Sequence, residues 1–84
     1  MELKLLDFLL ASFDRATVRG YEAEANALWA LYQATATAVL APEPSSAEHV
    51  RTALEGLARV NPRRGRAIRP HFEALLRELE GSRA

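Results

Sequence analysis

Residues 21–40 read YEAEANALWALYQATATAVL, and this stretch decides the fold. Seven of its twenty residues are alanine, and neither glycine nor proline interrupts it. Alanine loses no side-chain entropy on entering a helix, so the segment carries the strongest helical propensity in the chain. Tyr21, Ala25, Leu28, Tyr32, Thr35 and Val39 step by four and three, a heptad-like seam. Ala23, Ala27, Ala30, Ala34 and Ala38 make a second stripe, of small residues that admit a close neighbour. The polar arc is only Glu22, Asn26, Gln33 and Thr37, with Trp29 at its edge. A helix this apolar belongs at the centre of a bundle.

Working outward, the stretch is bounded on both sides. Arg19-Gly20 ends a preceding helix over residues 3–18, because glycine adopts the left-handed cap conformation without penalty. In that helix Leu3, Leu6, Leu10 and Phe13 repeat at helical steps, widened by Leu5, Leu9 and Ala16. Lys4, Asp7, Ser12, Asp14 and Arg15 take the polar side, with Phe8 among them. On the other flank, Ala41-Pro42-Glu43-Pro44 stops the central helix. Ser45 followed by Glu48 predicts a capping box that opens a helix over 46–60. Val50, Ala53, Leu54, Leu57 and Val60 form its apolar face. Asn61-Pro62 has the side chains of an N-cap and a first helical position. Over 62–80, Ile68, Phe72, Leu75, Leu76 and Leu79 hold one phase across Pro70, which predicts a kinked helix with Pro70 outward. The competing reading is a short turn over 62–68 and a fresh helix from Pro70. Gly81 to Ala84 reads as a fraying tail.

The expected fold is therefore all-α. It is a small four-helix antiparallel bundle, or three helices plus an arm, with the last helix kinked at Pro70 and a single domain over 1–84. No stretch alternates as a strand does. A chain of 84 residues buries only about 60–65% of the surface that its unfolded form exposes, so association is a natural source of further burial. With no cysteine, disulfides and thiolate metal sites are excluded. The N-terminal residues match neither a signal peptide nor a membrane span, so the expected location is cytoplasmic.

Eleven acids balance eleven bases. A neutral chain is not a general polyanion binder, but its charge is unevenly spread. Ten of the eleven bases are arginine, and Arg59, Arg63, Arg64, Arg66 and Arg69 fall within eleven residues that hold no acid. Guanidinium groups suit carboxylate or phosphate, so this cluster is a candidate anion or phosphate contact. The plainer reading is a solvated turn whose arginines pair with Glu55 and Glu73.

The run from Leu57 to Ile68 resembles the helix-hairpin-helix element, whose pattern is L-P-G-V-G-x-x-x-A-x-x-I. Leu54, Leu57, Val60 and Ile68 stand at its apolar positions. Arg59 and Asn61 stand where the family has its hairpin glycines, and Gly65 where it has a packing alanine. The resemblance covers fifteen of 84 residues and implies contact with a DNA backbone irrespective of sequence. A repressor-type helix-turn-helix fits worse, since it puts Pro62 at an apolar position of the recognition helix.

Other constellations carry no chemistry. His49 and His71 sit at the margins of apolar faces without a second ligand at (i, i+4). Four scattered glycines cannot cradle a phosphate. Glu24 falls near the central seam, but no second carboxylate stands at a useful spacing. No catalytic residue, metal ligand or cofactor is expected. Phe8 and Trp29, large aromatics on polar arcs, read either as interface side chains or as core. With Leu5, Leu9 and Tyr32 they are the candidate protein interface. The leading functional expectation is a non-enzymatic helical interaction or oligomerisation module whose partner is itself or another protein. The alternative is nucleic-acid binding through Arg59–Arg69.

Overall fold

A computed structural model describes residues 2–81, with side chains from Lys4 onward. Five helices account for nearly all of them: α1 Glu2–Val18, α2 Glu22–Leu40, α3 Ser46–Val60, α4 Pro62–Ile68 and α5 Pro70–Gly81. No strand occurs among the described residues. As its composition predicts, α2 is central: α1 and α3 both pack on it, while α4 and α5 pack on α3. Leu3, assigned to the α1 stripe, and Ser82 to Ala84, read as a fraying tail, lie outside the described side chains.

The reversal between α1 and α2 follows from Gly20, whose φ is +78°. The Tyr21 N–H donates to the Ala16 carbonyl at 2.9 Å and the Gly20 N–H to the Thr17 carbonyl at 3.1 Å. These two bonds define a Schellman ending. The entry to α3 differs from the expected capping box. Ser45 makes no side-chain cap, since its ψ of 2° is a turn value and not the extended one that an N-cap needs. The chain instead closes on Glu43, which lies between two prolines. The Glu43 N–H donates to the Ser46 hydroxyl at 2.8 Å, and the Ser46 N–H donates to the Glu43 carbonyl at 3.0 Å. Ser46 is buried in consequence.

The core is built from Leu9, Leu28, Leu31, Val50, Leu57, Ile68 and Phe72, with smaller alanines between them. Two expected stripes are rotated. In α2 the buried residues are Glu24, Ala25, Leu28, Leu31, Thr35 and Ala38. Leu31 and Ala38 replace Tyr32 and Val39, and Tyr21 faces solvent. Tyr21 is exposed and Tyr32 half-buried, as suits an amphipathic ring, and the aliphatic side of the helix turns to the core. Thr35 is accommodated because its hydroxyl donates to the Leu31 carbonyl at 2.7 Å. In α1, Leu10 faces solvent and Ser12, expected on the polar side, is buried. Val60 is also exposed, because α3 ends there and the chain bends away at Asn61.

Ile68, Phe72, Leu75, Leu76 and Leu79 are all buried, so one apolar face runs across Pro70, and Pro70 itself lies outward. The helix bends where proline lacks the N–H that would reach back to Arg66. Arg69 keeps helical angles (φ −54°, ψ −44°), and the Phe72 N–H turns to the Arg69 carbonyl at 2.9 Å. The last segment is thus two short helices joined at a kink.

The packing of α4 on α3 depends on one glycine. A Cβ placed at Gly65 would stand 2.7 Å from the Cα and the Cβ of Ala58, whereas one at Gly56 would meet nothing within 4 Å. Gly56→Ala should therefore stabilise the fold by about 0.5–1 kcal/mol through helical propensity alone. Gly65→Ala should destabilise it by about 1–3 kcal/mol, because overpacking against backbone outweighs the same gain. Urea midpoints of the two variants, moving in opposite directions, check the α3–α4 approach.

Candidate functional site

The most elaborate polar arrangement lies where α2 begins and α3 bends into α4. Asn61 is the single residue between those helices, in extended conformation. Its Oδ1 accepts the Arg64 N–H at 3.1 Å, which caps α4 as the Asn-Pro pair predicts. Its Nδ2 donates to Glu24 Oε1 at 3.0 Å, across 37 residues of sequence. The Arg64 Nε lies 3.4 Å from Glu24 Oε2. Glu24 is 8% exposed and sits in the first turn of α2, where the helix dipole also favours a carboxylate. Both its oxygens are engaged and no second acid adjoins them, so the corner clamps the fold and offers no acid–base pair.

That geometry divides the arginine cluster. Arg64 is turned inward on Glu24, while Arg59, Arg63, Arg66 and Arg69 are exposed. The expected pairing with Glu55 and Glu73 does not form. Among the described residues the only other ion pair joins Arg51 of α3 to Glu80 of α5. The hairpin resemblance is not met in three dimensions: no glycine forms the bend, and the Arg64 amide there is already bonded to Asn61.

The aromatic candidates separate onto two surfaces. On the α1–α2 flank, Trp29 stacks on Tyr32 (centroids 5.3 Å apart, planes at 15°) and packs tilted against Phe13 at 5.3 Å. Trp29 is 41% exposed, so it is not a core residue, and Leu10 and Tyr21 are also exposed. Phe13, assigned to the core stripe of α1, is half-buried and supplies the third ring. Its place among Leu3, Leu6 and Leu10 gave no sign of this, because the buried face of α1 is turned towards Leu9, Ser12 and Ala16. Phe8 is on the other flank of α1, half-buried, with its ring 5.2 Å from that of His71. Together with Lys4, Leu5 and His71 it lines a shallow groove. Leu9 is fully buried and belongs to the core, not to a surface.

A second groove of about 410 Å³ runs between α2 and α3, floored by Ala27, Ala30, Ala34, Ala53 and Gly56, with His49 at its edge. It is where the alanine stripe meets α3, and it holds no charged side chain. No group of three or more metal-ligating side chains occurs among the described residues, and none of their helices is long and apolar enough to cross a membrane. Compared with known proteins, the chain matches no family model, no curated sequence and no solved structure.

Proposed function

We propose that this protein is a non-enzymatic, cytoplasmic helical interaction module that associates, with a second copy or another protein, through the α1–α2 flank. The observation that carries the reading is the half-exposed ladder of Phe13, Trp29 and Tyr32. Rings ordered by stacking bring large contact area at little further entropy cost, the character of interface anchors. The bundle is only 18 Å in its thinnest dimension, about two helix diameters. On the side of Phe13, Trp29 and Tyr32 no described helix covers the rings, and Trp29 stays exposed.

Trp29→Ala tests it. A core tryptophan costs about 3–5 kcal/mol on truncation, whereas a half-exposed one held by two ring contacts should cost about 1–2 kcal/mol of folding energy. The same change should weaken association at least about thirtyfold, the mark of an interface hot spot. Sedimentation equilibrium across micromolar concentrations measures self-association. The reading fails if the wild type is a monomer throughout and full-length protein captured from its own cells brings down no partner that the variant loses.

A further inference from the structure

We infer that the outer side of the α3–α4 bend binds the phosphodiester backbone of double-stranded nucleic acid, and that it does so independently of the aromatic flank. The argument rests on which arginines the fold has used and which it has left. Of the five in residues 59–69, the fold commits one, Arg64, to Glu24. In α4 the inward positions are Gly65 and Ile68, while Arg63, Arg66 and, at the kink, Arg69 face water at three-residue steps. Arg59 stands exposed in the last turn of α3, two residues before Asn61. None of these four has an acidic partner among the described residues, although the chain holds eleven acids.

Three-residue steps on a helix rise about 4.5 Å each, so Arg63 to Arg69 spans about 9 Å. Along one strand of a duplex, phosphates recur about every 3.4 Å of axis, so that span covers two to three of them. Guanidinium forks match phosphate oxygens bidentately and stay charged at any working pH. The rest of the chain holds six bases against eleven acids. A polyanion is thus attracted to this one corner and repelled elsewhere, which gives a single docking orientation. No aromatic ring lies between residues 59 and 69. Single-stranded binding relies on stacking platforms; the exposed ring close by in sequence, His71, is already packed against Phe8, so the arginine surface fits a paired backbone and reads no bases.

The test is fluorescence anisotropy with a labelled duplex of mixed sequence, at salt from about 25 to 200 mM. With four arginines on phosphates, the logarithm of affinity should fall against the logarithm of salt with a slope of about −3.6. Replacing Arg63 and Arg66 together by alanine should flatten the slope by about 1.8, while the same pair changed to lysine should keep it. Arg51→Ala, at the other end of α3 and already paired with Glu80, should leave it unchanged. A scrambled duplex should bind equally and a single strand more weakly. Circular dichroism of each variant confirms that the helices persist, which exposed positions allow. The inference is overturned by no anisotropy change at the lowest salt or by an alanine pair with the wild-type slope. Polyglutamate or anionic lipid vesicles competing as well as duplex would overturn it too, because they would show general attraction to anions.

Discussion

Replacing Asn61 by alanine is expected to lower the unfolding free energy by about 2–4 kcal/mol, far more than an ordinary change at a turn. Two losses combine. The α4 cap disappears as the Arg64 N–H loses its acceptor, at a cost of about 1 kcal/mol. Glu24 loses the Nδ2 donor at 3.0 Å while remaining buried, and an under-satisfied buried acceptor costs about 1–3 kcal/mol. Arg64 stays near Glu24, but its side chain is 30% exposed and its charge is partly screened by water. Asn61→Ser separates the two losses, because serine can cap but cannot reach Glu24, and should retain roughly half the stability difference. Urea unfolding of Asn61→Ala, Glu24→Ala and the double variant closes a cycle. A coupling of about 0.5–3 kcal/mol is expected between them. Strictly additive effects, each below about 0.5 kcal/mol, would show that the corner does not hold α2 to the α3–α4 bend.

How much of this was legible follows from the range over which each signal acts. Gly20, the Asn61-Pro62 pair and the phase kept from Ile68 to Leu79 are local features, and each appears in the structure as read. The capping box failed although its motif is local, because Pro44 imposes a turn on Ser45 and shifts the hydroxyl that matters to Ser46. The α2 seam failed for a different reason. In a segment apolar nearly all round, periodicity defines a helix but not the direction of its heaviest burial. That direction is set by α1 and α3 together, and so Leu31 was hidden behind Tyr32.

The candidate surfaces were less legible than the fold. The arginine cluster is visible as composition, yet nothing in the sequence reveals that Arg64 belongs to Glu24, forty residues earlier in the chain. That pairing exists only because α2 and α3 pack with the start of one beside the end of the other. Trp29 stood out as an aromatic on a polar arc. Its partners, Phe13 from α1 and Tyr32 one turn on, could be joined to it only once the α1–α2 crossing was in place. Phe8 and Trp29 look alike on helical wheels and end on opposite flanks of α1, since wheels record a direction within a helix and not the neighbour met there.

Truncation of Phe72 should have the largest effect on folding. Phe72 is the bulkiest fully buried side chain, seated directly after the Pro70 kink. Phe72→Ala removes a ring from close packing and should cost about 3–5 kcal/mol. A chain of this length has a total stability of about 4–13 kcal/mol at 0.05–0.15 kcal/mol per residue, so about a quarter or more of it would go. The midpoint of thermal unfolding should fall by roughly 12–40 °C, given about 4–8 °C per kcal/mol for small domains. Phe72→Leu keeps most of the volume and should cost under about 1.5 kcal/mol. The twelve-residue α5 is too short to be helical without its packed face, since isolated helices below about 12–15 residues are marginal in water. Two outcomes of the alanine variant are therefore distinct. If the bundle folds around one shared core, far-UV and near-UV signals lost on heating coincide at a single lowered midpoint. If α5 alone melts while α1 to α3 keep their native transition, Phe72 anchors only its own helix. The assignment of Leu28, Leu57 and Phe72 to one cooperative core would then be wrong.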